Sequence, residues 1–121
     1  MTNKDKQLLL KDLCARLPYG VICHTEKGDG HLCSINQTIF GTEYGVNISP
    51  IKRDYFNDSE QDEVVIKPYL RQMSSMTKEE KEELSNYENS VQRTDFFYSH
   101  HIDCRFMIEK GLALEAPEGY V

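Results

Sequence analysis

The chain has no tryptophan, few prolines and no apolar run approaching the ~20 residues that a membrane-spanning helix needs. It also lacks a basic surplus: 14 Lys and Arg stand against 20 Asp and Glu, a formal net charge of −6. Binding to a phosphate backbone or docking on anionic lipid requires clustered cations, so neither nucleic acid nor membrane is an expected partner. No glycine-rich phosphate loop, nucleophile elbow or HExxH helix is present. "GDG" at 28–30 lacks the downstream carboxylates of a calcium loop. No cofactor is expected, and an enzyme is the less favoured reading. No CxxC pair accompanies the four cysteines, and the opening "MTNKDKQLLLKDL" carries charges through its one apolar patch, unlike a signal peptide. The expectation is a cytoplasmic protein whose cysteines are reduced thiols, behaving as small buried hydrophobes.

The 121 residues suffice for one domain, 1–121, with a modest core. Thr2 followed by Asp5 reads as a capping box opening a helix. Leu10, Leu13, Cys14 and Leu17 form an apolar stripe, Lys11, Asp12 and Arg16 face away, and Pro18 and Gly20 supply the stop. "YGVICHTE" and "HLCSINQTIFG" read as a β-hairpin around a three-residue loop, Gly28-Asp29-Gly30. That register pairs Thr25 with Cys33 and Cys23 with Ile35, and gathers Val21, Cys23, Thr25, Cys33 and Ile35 on the core face. Short strands are expected near 46–51 and 64–69, with "NDSEQDE" as a polar loop between them. Pro50 and Pro68 confine those segments to sheet edges or strand ends. Thr77 and Glu80 form a second capping box, opening a peripheral helix with Met76, Leu84, Tyr87 and Val91 as its narrow apolar face. A last helix is expected from Thr94 or Asp95 towards Lys110, stopped by Gly111 and open to a break where Asp103 caps a second short helix; 111–121 form an extended tail. Arg71, among apolar neighbours, reads as a salt-bridge or surface residue. The fold class is α+β: an N-terminal helix, a small antiparallel sheet of three to five short strands, and C-terminal helices packed on one face.

Two clusters carry chemistry-bearing residue types. In the hairpin, Cys23, His24, His31 and Cys33 resemble half a zinc knuckle. The three-residue loop sets Cys23 and Cys33 apart from His24. A two-residue loop would gather His24, Glu26, His31 and Cys33 instead, since a one-residue slip exchanges the faces. The first register gives the better apolar face, so His24, His31 and Cys33 are only weak metal candidates. In "DFFYSHHIDCRF", helical spacing places Phe97, His101, Cys104 and Ile108 on one stripe, and His100 with Asp103 on the next face. An i, i+3 His–Asp pair can orient an imidazole as a base or hold a metal. The candidate catalytic set is therefore His100, His101 and Asp103, weighed against a structural anchoring of the helix.

Three segments, "LCARLPYGV", "KPYLRQMSSMTKEEKEE" and "SHHIDCRFMIEKGLALEAPEGY", resemble a family of small uncharacterised proteins encoded by gut Bacteroidales genomes and their phages or prophages. The resemblance covers about half of the chain and leaves residues 36–65 aside. His100, His101, Asp103, Arg105, Ile108, Gly111, Leu112 and Ala113 match the family wording, whereas Cys104, Phe106 and Met107 depart from it. It implies a phage or mobile-element origin in an anaerobic bacterium and no particular chemistry. The leading expectation is a non-enzymatic small protein acting through protein contacts, as a homo-oligomer or on a host factor. A metal-dependent hydrolase or nuclease built on His100, His101 and Asp103, with His24 or His31 as a further ligand, is the second. An acidic regulator or inhibitor of a host nucleic-acid-binding protein is the third.

Overall fold

The computed structural model describes residues 3–26, 28–37, 43–49, 54–57 and 66–117. The fold is α+β, as expected: an N-terminal helix, a mostly antiparallel sheet and C-terminal helices. The chain forms two compact units, residues 1–68 and 69–121.

The first unit opens with helix α1 (Asn3–Arg16), and a 3-10 turn (Leu17–Tyr19) follows it. Gly20 closes that turn at φ 66, the left-handed conformation in which glycine carries no Cβ penalty. Thr2, the expected cap, lies outside the described residues. The expected outward face needs correction. Lys11 is exposed, but Asp12 and Arg16 are fully buried, whereas Cys14 on the supposed apolar stripe is exposed. Arg16 Nε donates to Asp12 Oδ2 at 2.8 Å, one turn away. Such a pair offsets its own desolvation by mutual attraction and tolerates a cover that a lone charge does not.

Five strands follow: β1 (Ile22–Thr25), β2 (Gly28–Gln37), β3 (Glu43–Ser49), β4 (Asp54–Asn57) and β5 (Ile66–Leu70). They lie in the order β4-β3-β2-β1-β5. The hairpin register differs from expectation, because Thr25 pairs with Gly28 and Cys23 with Gly30. The turn therefore comes before Gly28, and "GDG" belongs to the strand. Thr25 Oγ1 donates to the Gly28 carbonyl at 2.9 Å, and Gly28 takes φ 120. Gly30 serves close packing instead of a turn: a Cβ there would lie 2.5 Å from the Ser49 carbonyl oxygen and 2.6 Å from Ile48 Cγ2. The new register brings Leu32 into the core beside Val21, Cys23 and Thr25 and leaves Cys33 exposed. Cys33 is the extra residue where β2 bulges against β3, between the Leu32–Ile48 and Ser34–Asn47 pairs. Strand β4 was not expected from the sequence. The pairing of β5 with β1 ends at Pro68, which has no N–H to continue it.

In the second unit, Tyr69 and Leu70 at the end of β5 pair in parallel with β6 (Leu114–Glu115). Helix α2 (Lys78–Ser85) starts on the expected capping box: Glu80 N donates to Thr77 Oγ1 at 3.1 Å, and Thr77 N donates to Glu80 Oε1 at 2.9 Å. The helix ends earlier than its apolar spacing suggested. Helix α3 (Ser90–Ser99) begins on Asn89, whose Oδ1 accepts from Val91 N at 2.7 Å. Val91 is consequently exposed on α3 and belongs to no α2 face. One core cluster of this unit is Met76, Phe96 and Ile102, with Leu84, Tyr87 and Phe97 packed around it.

Arg71 joins these pieces. Its Nη1 and Nη2 bind the Glu80 carboxylate at 2.8 and 2.7 Å, and Nη2 also reaches the Ser75 carbonyl at 3.1 Å. The salt-bridge reading of this residue is the one observed. The guanidinium, with help from the Thr77 cap, holds the Glu80 carboxyl down at about 2 against an ordinary 4.5.

Two outcomes follow from this packing. Gly30→Ala should lower stability in urea unfolding by about 2 kcal/mol, because the new methyl group meets strand backbone; Asp29→Ala, at an exposed pair, should cost under ~1 kcal/mol. Glu80→Gln should cost about 2 kcal/mol at neutral pH. Folding depresses the Glu80 pKa, so its contribution is complete above pH ~4.5 and fades as the pH falls towards 2. The stability gap between wild type and Glu80→Gln should narrow over that window.

Candidate functional site

The stretch 95–111 contains no continuous helix. Helix α3 stops at Ser99, with His100 as its C-cap and His101 beyond it at φ 58. His101 N donates to the Tyr98 carbonyl at 3.1 Å and Ile102 N to the Phe97 carbonyl at 2.8 Å. This pair of bonds defines a Schellman cap, with histidine in the left-handed position that glycine usually takes. Its usual hydrophobic contact is present too, since Ile102 and Phe97 share the core. The expected stripe of Phe97, His101, Cys104 and Ile108 is thereby corrected: the chain leaves the helix before His101, and i, i+4 spacing no longer applies.

The three candidate catalytic residues are consequently turned to separate tasks. His100 Nδ1 lies 2.9 Å from the Phe96 carbonyl, to which it must donate, and its ring stacks on Phe96 at 4.2 Å between centroids. His101 supplies the cap. Asp103 is buried, and its two carboxylate oxygens accept from Met107 N at 2.8 Å and Ile108 N at 2.9 Å. The expected capping of a separate short helix by Asp103 is corrected: no helix follows it among the described residues, and its carboxylate orders a turn instead. Its backbone is pinned as well. Arg71 N donates to the His101 carbonyl at 2.7 Å, and Asp103 N to the Arg71 carbonyl at 2.8 Å. No hydrogen bond joins His100 to Asp103 among the described residues.

The turn held by Asp103 carries Phe106, again at positive φ (58), and closes at Gly111 (φ 75). Phe106 is 60% exposed. It stands on the wall of a cleft of about 320 Å³ formed within the second unit. Met73, itself 39% exposed, and Ile108 complete the apolar lining. Gln72, Ser74, Asp103 and Glu109 supply the polar part. Among the described residues the lining contains two carboxylates and no cation. Arg105 is held by the Tyr98 hydroxyl, which accepts from its Nε at 3.1 Å.

In the hairpin, the register places Ile22 opposite His31 and His24 opposite Asp29. His24 Nδ1 and Asp29 Oδ1 stand 2.8 Å apart at the surface. His31 Nδ1 faces the Gly20 carbonyl at 3.4 Å, and Cys33 Sγ donates to the His31 carbonyl at 3.3 Å. His24, His31 and Cys33 therefore bond to different neighbours. Among the described residues no three His, Cys, Asp or Glu side chains are grouped to hold a metal ion. The uniform burial expected of the cysteines also needs correction. Cys23 alone is buried, and burial beside Asp12 pushes its thiol up to about 12; Cys14 and Cys33 are exposed and Cys104 is half-buried.

Compared with known proteins, the chain matches no family model, no curated protein and no solved structure. No helix among the described residues is long and apolar enough to cross a membrane. The cleft residues Phe106 and Met73 were not picked out by their sequence context. The available signal was Phe106 standing between Arg105 and Met107 in a segment too rich in charge to bury an aromatic helix face.

A left-handed conformation costs a bulky residue about 1 kcal/mol. Phe106 recovers little of this by burial, being mostly exposed. Phe106→Gly should therefore raise unfolding stability by up to about 1 kcal/mol, whereas Ile102→Ala, in the core, should lower it by about 3 kcal/mol. Parallel urea titrations check both.

Proposed function

We propose that this chain is a non-enzymatic protein-binding domain of phage or mobile-element origin, acting in the bacterial cytoplasm through the cleft beside Phe106. The observation that supports it is the state of Phe106 itself. A large aromatic is exposed, on a backbone conformation that opposes it, beside the exposed Met73. Neither side chain is part of the buried core. Aromatic side chains presented beside a pocket are typical anchors of protein interfaces, where their burial on docking supplies much of the binding energy. The side chains that suggested catalysis, His100 and Asp103, are engaged in ending a helix and ordering the turn that carries this ring.

The test is site-specific photocrosslinking in a gut Bacteroidales host. Phe106→p-benzoylphenylalanine should give a discrete protein adduct on irradiation, while the same replacement at Val91, 64% exposed on α3, should not. An adduct of twice the chain's mass would identify the partner as a second copy. Identical patterns from both positions, or none from 106, overturn the reading.

A further inference from the structure

We infer that the cleft beside Phe106 receives a single arginine side chain presented by the partner protein. This inference rests on the docking reading above and names what docks.

The cleft sorts its visitors by charge. Asp103 and Glu109 line it, and among the described residues no cation does. Of the cations beside the lining residues in sequence, Arg71 is committed to Glu80 and Arg105 to Tyr98, while Lys110 is exposed and is not part of the described lining. A purely apolar visitor would cover these carboxylates without partnering them, which is costly; an acidic one would be repelled. A basic visitor satisfies both.

Asp103 adds geometric selection. A carboxylate offers roughly four acceptor positions, and backbone N–H groups from Met107 and Ile108 take one on each oxygen. Capacity remains on both oxygens, and the backbone bonds hold the carboxylate in one orientation. A fixed carboxylate with acceptor capacity on both oxygens suits the planar fork of a guanidinium better than the point charge of an ammonium.

The apolar wall fits the same visitor. An arginine buries its aliphatic stem against apolar surface while its head stays polar, and Met73 and Ile108 supply that surface. The exposed Phe106 ring offers a face on which guanidinium stacks more readily than the strongly hydrated lysine ammonium. The volume, about 320 Å³, lies at the small end of ligand-binding clefts, roughly 300–1,000 Å³, and suits one side chain better than a large ligand.

The experiment is a titration of the whole chain with acetyl-Gly-Arg-Gly-amide, followed through backbone amide NMR shifts, beside the lysine peptide and its neutral citrulline isostere. The arginine peptide should produce saturable shifts confined to 72–74 and 103–109, with a dissociation constant on the order of millimolar, as a one-residue anchor allows. Citrulline should bind at least tenfold more weakly and lysine several-fold more weakly. Glu109→Gln, an exposed change that leaves the fold intact, should weaken the arginine peptide several-fold, and Phe106→Ala at least fivefold. Equal shifts from arginine and citrulline, or no saturable shift at these positions, overturn the inference. Crosslinking from residue 106 without arginine selectivity overturns this inference alone. Arginine selectivity without crosslinking overturns the docking reading, and with it the partner protein as the source of the arginine, while the guanidinium preference of the cleft stands.

Discussion

The second unit depends on one residue used twice. The side chain of Arg71 clamps Glu80 at the start of α2, and its backbone N–H and carbonyl bracket Ile102 by bonding His101 and Asp103. The bidentate guanidinium–carboxylate pair is largely shielded, and Glu80 is simultaneously the capping partner of Thr77. One arginine thus fixes where α2 starts and where the chain runs after α3 ends. Ile102, between the two backbone bonds, is thereby placed in the core with Met76 and Phe96. Removing either use would loosen the other, because both draw on the same short segment after β5.

Downstream of that anchor the chain is shaped by left-handed residues at 101, 106 and 111, five apart. Each ends a short helical or turn segment and turns the chain away from its previous course. Only the last is glycine. At 101 the strain accompanies a complete Schellman cap with its hydrophobic contact, so local gains offset it. At 106 the local gain is polar, the two Asp103 bonds to Met107 N and Ile108 N, while the ring itself is mostly exposed. Backbone strain without a packing return is more informative about function than strain that stabilises a core.

This distinction also explains what was legible in the sequence. Capping boxes use side chains on adjacent turns, so Thr77 and Glu80 located α2 without tertiary information. The stop at Gly20 and the left-handed Gly111 are likewise properties of single residue types, whereas Pro68, expected at a sheet edge or strand end, sits inside β5 and ends only its pairing with β1. The hairpin misled because glycine has two uses. "GDG" looks like a turn, yet Gly30 is required by the close approach of Ser49 and Ile48, which are distant in sequence. The end of α3 misled for the reverse reason. A histidine occupies the glycine position, and what holds it there comes from Arg71, 30 residues upstream, through a parallel bridge to Ile102. Asp12 and Arg16 read as surface residues singly and became buried as a pair.

The candidate site was therefore half visible. Asp103 was singled out for its carboxylate and the adjacent histidines; it lines the cleft, and its immediate bonds go to backbone N–H groups. A carboxylate spent on ordering a turn is held rigidly by two backbone bonds, and rigidity is what recognition needs. The same two bonds that withdraw Asp103 from His100 hold the turn from which Phe106 projects. Aromatic ring and carboxylate are thus positioned by one device, which ties the hydrophobic and the charged halves of the cleft to a common support.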